Sequence, residues 1–377
     1  MKKFLFIKFL TILTCFVTGG LVAGGTLHGT NLKKSQVVEL NQVQAEKQYI
    51  ASENKIPQKI VISMAGDVLL ASGVGHAIAL HGSDYPWRET SELLRNSDIA
   101  IANLECPVGR GGNPEPNKEF TFRAAPETLS GAVNAGVDIF TLANNHVLDF
   151  GRAAFAETLL NLEINGIKYT GAGISVEEAW RPALVESNGY KVAVLAFSRV
   201  IPGGHWVAGK NWPGVADGFD LKMIAGNIKD AERVADETIV SVHWGNELDD
   251  FPDQREIDLA HMMVEAGADI VIGHHPHVLQ GIEIYRGKII AYSLGNFIFT
   301  PGSPKAREGA ILQVISNGEG GYSASIIPTF IGDGSTMLLD GAGRKRVLDK
   351  MNRLSVPFGV FVNEEGRVMT DKKDGGL

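Results

Sequence analysis

Cysteine is nearly absent: Cys15 and Cys106 are the two among 377 residues. That is too few for a disulfide framework or a thiolate metal site. Cys15 lies in an apolar stretch and Cys106 follows Glu105 deep in the chain, so they are not expected to bridge. Cys106 reads instead as a small buried residue. Basic character is lacking too. The formal net charge is -8, and beyond the first residues the cations cluster only in Gly343-Arg344-Lys345-Arg346, which reads as a solvated turn. Nucleic acid, whose binding needs clustered Lys and Arg, is therefore excluded as a partner. No internal repeat is visible. What remains is ordinary for a globular protein, 44% hydrophobic and 21% charged, in a chain long enough to bury one large core or two modest ones.

One long uncharged run stands at the amino terminus. Met1-Lys2-Lys3 precedes an apolar stretch in which Phe9 to Leu27 carries no charge. This is about the length of a membrane span, and Lys8 is able to snorkel to the inner face. Lysines before the span orient the rest of the chain outward. Ala23-Gly24-Gly25 also offers small residues for signal-peptide cleavage. The expectation is a single amino-terminal span with the domain outside the cytoplasm, or a secreted or periplasmic protein if the leader is cut. Residues 28–57 are polar and read as a linker.

From Lys59 onward apolar, β-branched runs alternate with helical spacing. The expected strands are Lys59 to Ala65, with Gly66-Asp67 turning out, then Ile99 to Leu104, Asp138 to Leu142, Lys191 to Phe197, and runs ending at His243 and His274. Helical patterns lie at Pro126 to Ala135, Phe155 to Ile164, Leu221 to Ala235 and Gln254 to Ala266. After residue 280 short strands follow one another without helices. The first part implies βαβ crossovers and the second an antiparallel addition to the same layers. A single α/β domain over 58–335 is expected, followed by a loosely attached carboxyl-terminal appendage, 336–377.

The chemistry gathers at strand ends. His243-Trp244-Gly245 and Gly273-His274-His275-Pro276-His277 each follow a buried run, and carboxylates and amides recur upstream. In open α/β folds the carboxyl edge of the strands holds the site. Alone, Asp67 reads as a turn residue and Asn144-Asn145 as a turn or cap. Jointly, Asp67, Glu105, Asn145, His243, His275 and His277 form a ligand set of carboxylate, amide and imidazole. Such a set suits one or two divalent ions such as Mn, Fe or Zn. Two ions would activate a water and clamp a phosphoryl group. His275 and His277 are expected on the same side of an extended segment, with Pro276 stiffening it. If His146 opens a helix, Asp149 lies one turn on and orients its imidazole, which favours a general acid or transition-state contact. His274 reads as a residue behind the ligands. His261 sits on a helical pattern and reads as an ordinary surface or half-buried residue, and His28, His76, His81 and His205 have no partner phrase.

These phrases together resemble the CapA family, called PgsA in poly-γ-glutamate-producing bacteria. The matching pieces are Met64-Ala65-Gly66-Asp67, Asn103-Leu104-Glu105, Ala143-Asn144-Asn145-His146 with Asp149 and Gly151, and His243-Trp244-Gly245-Asn246-Glu247. Gly273-His274-His275-Pro276-His277-Val278 and Tyr292-Ser293-Leu294-Gly295-Asn296-Phe297 complete them, in the family's order. The resemblance implies a calcineurin-like metallophosphoesterase fold, two packed mixed β-sheets flanked by helices in a four-layer α/β/β/α sandwich. It also implies metal-ligand positions for the six residues above and a phosphate-contacting role for His146. The implied biology is capsular polyglutamate synthesis or export at the membrane, beside ligase or export subunits, on an anionic polymer or a phosphorylated substrate. Two departures stand out. Leu69 occupies the position where metallophosphoesterases at large carry a histidine ligand, and Glu105 replaces the usual Asp. Ala71-Ser72-Gly73 also replaces a Gly-Arg common in CapA relatives, with Arg123 and Arg255 as candidate substitutes. Two functions are compatible with this: a metal-dependent hydrolase of a phosphoester or γ-glutamyl amide, or a non-catalytic, polymer-binding accessory of a synthase with a degenerate metal site.

Overall fold

The computed structural model describes residues 59–317 and 321–370. The expected amino-terminal span or leader and the linker over 28–57 lie outside the described residues. Among those described, no helix is long and apolar enough to cross a membrane.

The strands, in chain order, are β1 (Ile60–Val68), β2 (Ile99–Leu104), β3 (Ile139–Thr141), β4 (Lys168–Thr170), β5 (Ala172–Gly173) and β6 (Ala183–Ser187). They continue with β7 (Tyr190–Ser198), β8 (Gly214–Val215), β9 (Glu237–His243), β10 (Ile270–His274), β11 (Ile282–Tyr285) and β12 (Lys288–Ala291). The last six are β13 (Asn296–Ile298), β14 (Glu308–Ser316), β15 (Tyr322–Gly332), β16 (Ser335–Leu338), β17 (Phe361–Val362) and β18 (Val368–Met369). One sheet has the order β16-β15-β14-β1-β2-β3-β4, with β13 also paired to β1. The second has the order β11-β12-β10-β9-β7-β6. In both, the central strands are parallel; β6, β11, β14, β15 and β16 pair antiparallel, while β12 and β13, though late in the chain, join in parallel, so the sheets are mixed.

Strand periodicity builds the layers. Ile60, Ile62 and Met64 of β1 share one cluster with Ile239 of β9 and Ile270 and Ile272 of β10, so this cluster lies between the sheets. Val240, Val242 and Val271 point the other way, against Ile224 and Ile228 of the helix Leu221–Glu232 and Leu259 and Met263 of the helix Gln254–Glu265. Ala100, Ala102 and Phe140 meet Leu129 of the helix Leu129–Ala135 and Phe155 and Leu159 of the helix Gly151–Ile164. The result is the expected four-layer sandwich, helix, sheet, sheet, helix. Each fully buried Ile or Val there contributes about 1.5–3 kcal/mol over leaving it exposed. The helix Gln254–Glu265 starts at a capping box, with Asp253 and Glu256 satisfying each other's backbone N–H.

Two expectations need correction. The first strand does not turn out at Gly66-Asp67 but runs on to Val68, with a register shift between Met64 and Asp67. Gly66 is needed there, because a Cβ would fall 1.9 Å from the Gly295 carbonyl oxygen. Nor is the carboxyl-terminal region loosely attached. The helix Gly341–Ser355 buries Val347, Leu348, Met351 and Leu354 in the cluster between the sheets, and β17 and β18 add Val362 and Val368. The boundary expected at 335/336 falls inside β16.

Candidate metal centre

The carboxyl ends of β1, β2, β9 and β10 converge with the loops after β3 and β10. Asp67 stands opposite Asn103 on β2 and Asn296 on β13. All six expected ligand residues are buried in this one place. Glu105, His275 and His277 offer ligand atoms that lie within 4.8 Å of one another. His243 Nε2 lies 3.5 Å from Glu105 Oε1 and donates to Asn145 Oδ1 at 2.8 Å. Asp67 accepts from His274 Nδ1 and Asn103 Nδ2, both at 2.9 Å, and its Oδ2 is 3.4 Å from His277 Nδ1.

His275 and His277 do not meet through strand alternation, as the sequence suggested. Strand β10 ends at His274, and both residues sit in the left-handed region, φ 96° and 58°. Non-glycine residues pay a steric cost there, and such outliers concentrate at functional sites. His277 Nδ1 then donates to Asn296 Oδ1 at 2.8 Å, which turns Nε2 toward Glu105, 3.9 Å from its Oε1. This is how a carbonyl behind a ligand histidine fixes ring and tautomer. His274, expected behind the ligands, is in that position, holding Asp67.

Electrostatics separates the groups. Burial, and then the charge of Asp67, push Glu105 well above the ordinary carboxylate range. Burial raises Asp67 too, but hydrogen bonds from His274 and His277 overcome it and hold that carboxyl well below. Burial and the His275 ring depress His243, and burial with His277 brings His275 down to about 3. Both are therefore neutral imidazoles near pH 7, the form that ligates metals. Burial lowers His277 as well, but Glu105 and Asp67 outweigh it and bring the ring up to about 10.

The residues fit a divalent ion. Among the described residues neither Glu105 carboxylate oxygen accepts a hydrogen bond, and His243 Nδ1, His274 Nε2 and His275 Nδ1 also lack partners. An ionised carboxylate buried without donors costs several kcal/mol, which is why Glu105 holds its proton so tightly and why a cation among these groups would offset its charge. Leu69 contributes no ligand. It packs in the apolar cluster beneath the first sheet's helices.

His146 and Asp149 pair as expected, Nδ1 to Oδ2 at 2.8 Å, though not through a helix. Residues 147–150 form a turn, Asp149 N donates to His146 O, and the helix begins only at Gly151. Sequence reasoning did not single out Lys118. Its ammonium contacts His146 Nδ1 at 2.9 Å, donates to Asn145 O at 2.7 Å and pairs with Asp149. No local pattern marks it, because its partners lie 27 to 31 residues away. Asn144 locks the same loop, donating to Asn103 Oδ1 and Leu104 O while accepting from His146 N and Val147 N. The two arginines considered as anion-binding substitutes are engaged elsewhere: Arg123 donates to Gly111 O, and the exposed Arg255 pairs with Asp253.

Residues 61–301 match the model of a family described as "Bacterial capsule synthesis protein PGA_cap". The chain is 34% identical over 285 residues to the capsule biosynthesis protein CapA of Bacillus anthracis, covering 74% of this chain and 69% of that one. It is 32% identical over 295 residues to the PGA biosynthesis protein CapA of Bacillus subtilis (strain 168), covering 77% of each. A "probable polyglutamine synthesis accessory protein" of Mycobacterium tuberculosis is 31% identical over 257 residues, 65% of this chain and 67% of that one. Among solved structures, the NAD nucleotidase of Haemophilus influenzae superposes at a TM-score of 0.40 with 14% identity, over 78% of this chain and 62% of that one. That likeness is too distant to carry a functional argument.

Proposed function

Since the chain belongs to the bacterial capsule synthesis (PGA_cap) family, we propose that it serves capsular poly-γ-glutamate synthesis or export as an extracytoplasmic, metal-dependent hydrolase held at the membrane by its amino-terminal segment. The observation that carries the enzymatic part is the buried, donor-free side chain of Glu105 beside His243, His275 and His277. Glu105, His275 and His277, with His243, Asn145 and Asp67, would hold one or two divalent ions such as Mn, Fe or Zn. When bound, such an ion supplies Lewis acidity at a phosphoryl or carbonyl group.

The chain's own groups account for the rest. Asp149 and Lys118 engage His146 through Nδ1, so Nε2 is the ring atom left for the adjoining cavity, which His146 lines. Burial lowers this ring, so with Nδ1–H given to Asp149 its Nε2 must take up a proton before it donates to a substrate oxygen or acts as acid to a leaving group. His274 and Asn296 fix Asp67 and His277 from behind.

Leu69 favours a second reading, in which an incomplete site binds polymer without turning it over, as an accessory of a synthase complex. The two separate in an assay of the full-length, metal-loaded protein on phosphoesters and γ-glutamyl peptides. Hydrolysis lost on chelation, and falling about 100-fold or more in His146→Ala, supports the enzyme. No hydrolysis of either class with metal bound leaves the accessory role.

A further inference from the structure

Beside His146 and His277 a cavity of about 350 Å³ opens to solvent. Three phenylalanines, Phe120, Phe122 and Phe299, line it with Leu248, and Glu247 is its one carboxylate among the described residues. Among the described residues no lysine or arginine lines it, and its two imidazoles, His146 and His277, stand on the side of the metal centre. The nearby cations are already engaged: Lys118 with His146 and Asp149, and Lys305 with Asp250 and the Leu248 carbonyl.

The Glu247 loop is held on both sides. Leu248 sits at φ 65°, its N–H donates to Pro276 O between the two ligand histidines, and Gln280 donates to Asp249 O. The exposed Glu247 carboxylate makes no hydrogen bond or ion pair among the described residues, and its charge is felt at Glu105. On the side away from His146 and His277, the Glu247 carboxylate and the aromatic rings form a poor host for an anion. Beside Glu247 the interior of a γ-glutamyl polymer would set its carboxylates against a like charge. An ammonium group suits the same lining, because it pairs with the carboxylate and is attracted to aromatic ring faces.

We propose that this cavity binds a primary ammonium group, the amino end of a peptide or γ-glutamyl chain, through Glu247 and its phenylalanine wall. The inference rests on the hydrolase reading only for what the bound end is presented to.

The test is calorimetry on the full-length, metal-loaded protein with two pairs of probes. One pair is a γ-linked triglutamate with its amino terminus open or acetylated, and the other is an alanine tripeptide amide in the same two forms. The open form should bind about tenfold more tightly than the acetylated one. Glu247→Gln should erase that preference at an unchanged thermal midpoint, since the residue is exposed. Equal binding of open and acetylated forms, no binding of any probe, or a preference surviving in Glu247→Gln overturns the ammonium site. A preference confined to the alanine pair upholds the site and counts against polyglutamate as its ligand. Phosphoester hydrolysis by the same preparation reports on the hydrolase reading independently.

Discussion

Strand β9 carries a buried acid at one end and a buried imidazole at the other, and the two ends of the sandwich treat buried carboxylates differently. At the amino end Glu237 accepts from Tyr190 Oη at 2.8 Å, and that hydroxyl lies 3.1 Å from Ser316 Oγ of the opposite sheet. Next to it Asp269 receives Lys288, Tyr322 and the Thr238 N–H. About 20 Å away along the strand, Glu105 has imidazoles around it and no donor on either oxygen. Burial raises both glutamates, Glu237 to about 7 and Glu105 well above its ordinary value. Burial therefore does not tell a structural carboxylate from a ligand. The kind of neighbour does. At the first end hydroxyls and an ammonium stand by the acids, and among the described residues Glu237 Oε2 is bonded and Oε1 bare. Both oxygens of Glu105 are bare and ringed by imidazoles, a lining that a cation would complete.

The comparison breaks most visibly at Glu105. Glu105→Ala should lower metal affinity by about 100-fold or more, read by equilibrium dialysis, while the metal-free variant unfolds no earlier than the metal-free parent. An early loss of the fold in that variant would make Glu105 structural. The next effect concerns pH. Glu237 holds its proton more tightly folded, about 7 against an ordinary 4.5, so its stabilisation is full below its unfolded value and lost as pH rises through 7. Across that window the loss amounts to about 3 kcal/mol. Glu237→Gln, neutral throughout, should flatten the fall in thermal midpoint between pH 5 and 8. A fall as steep as the parent's would assign the pH dependence elsewhere.

Asn296→Ala should weaken metal binding by about 10- to 100-fold without removing a ligand, because it frees the His277 ring to turn. Unchanged affinity would show that the ring is held by something else. The smallest effect is expected from Glu237→Ala, about 1–3 kcal/mol of stability from taking the buried carboxylate away from Tyr190 Oη, with metal affinity unchanged. Altered metal affinity in that variant would mean that the two ends are coupled.

Much of this was legible in the chain. The β-branched runs into His243 and His274 announce buried strands, and the polar residues following them fall where parallel strands end, so the gathering of the six candidate residues was legible from pattern. The left-handed backbone at His275 and His277 was not, since nothing local in a histidine demands positive φ and tertiary bonds to Asp67 and Asn296 impose it. Lys118 escaped because its contacts are long-range. β13 is three residues long and carries no alternation of its own. In the carboxyl-terminal region, Val347, Leu348, Met351 and Leu354 recur at helical spacing, but a Gly-Ala-Gly opening and a basic run mask that signal.

The central claim, that Glu105 and the histidines hold a metal, meets its most direct test in the metal content of the purified full-length protein, measured by elemental mass spectrometry beside a His275→Ala/His277→Ala variant. One or two equivalents of Mn, Fe or Zn in the parent and none in the folded variant is the result expected. A parent that stays folded and takes up no metal after resupply, or a variant that binds as much as the parent, would contradict it.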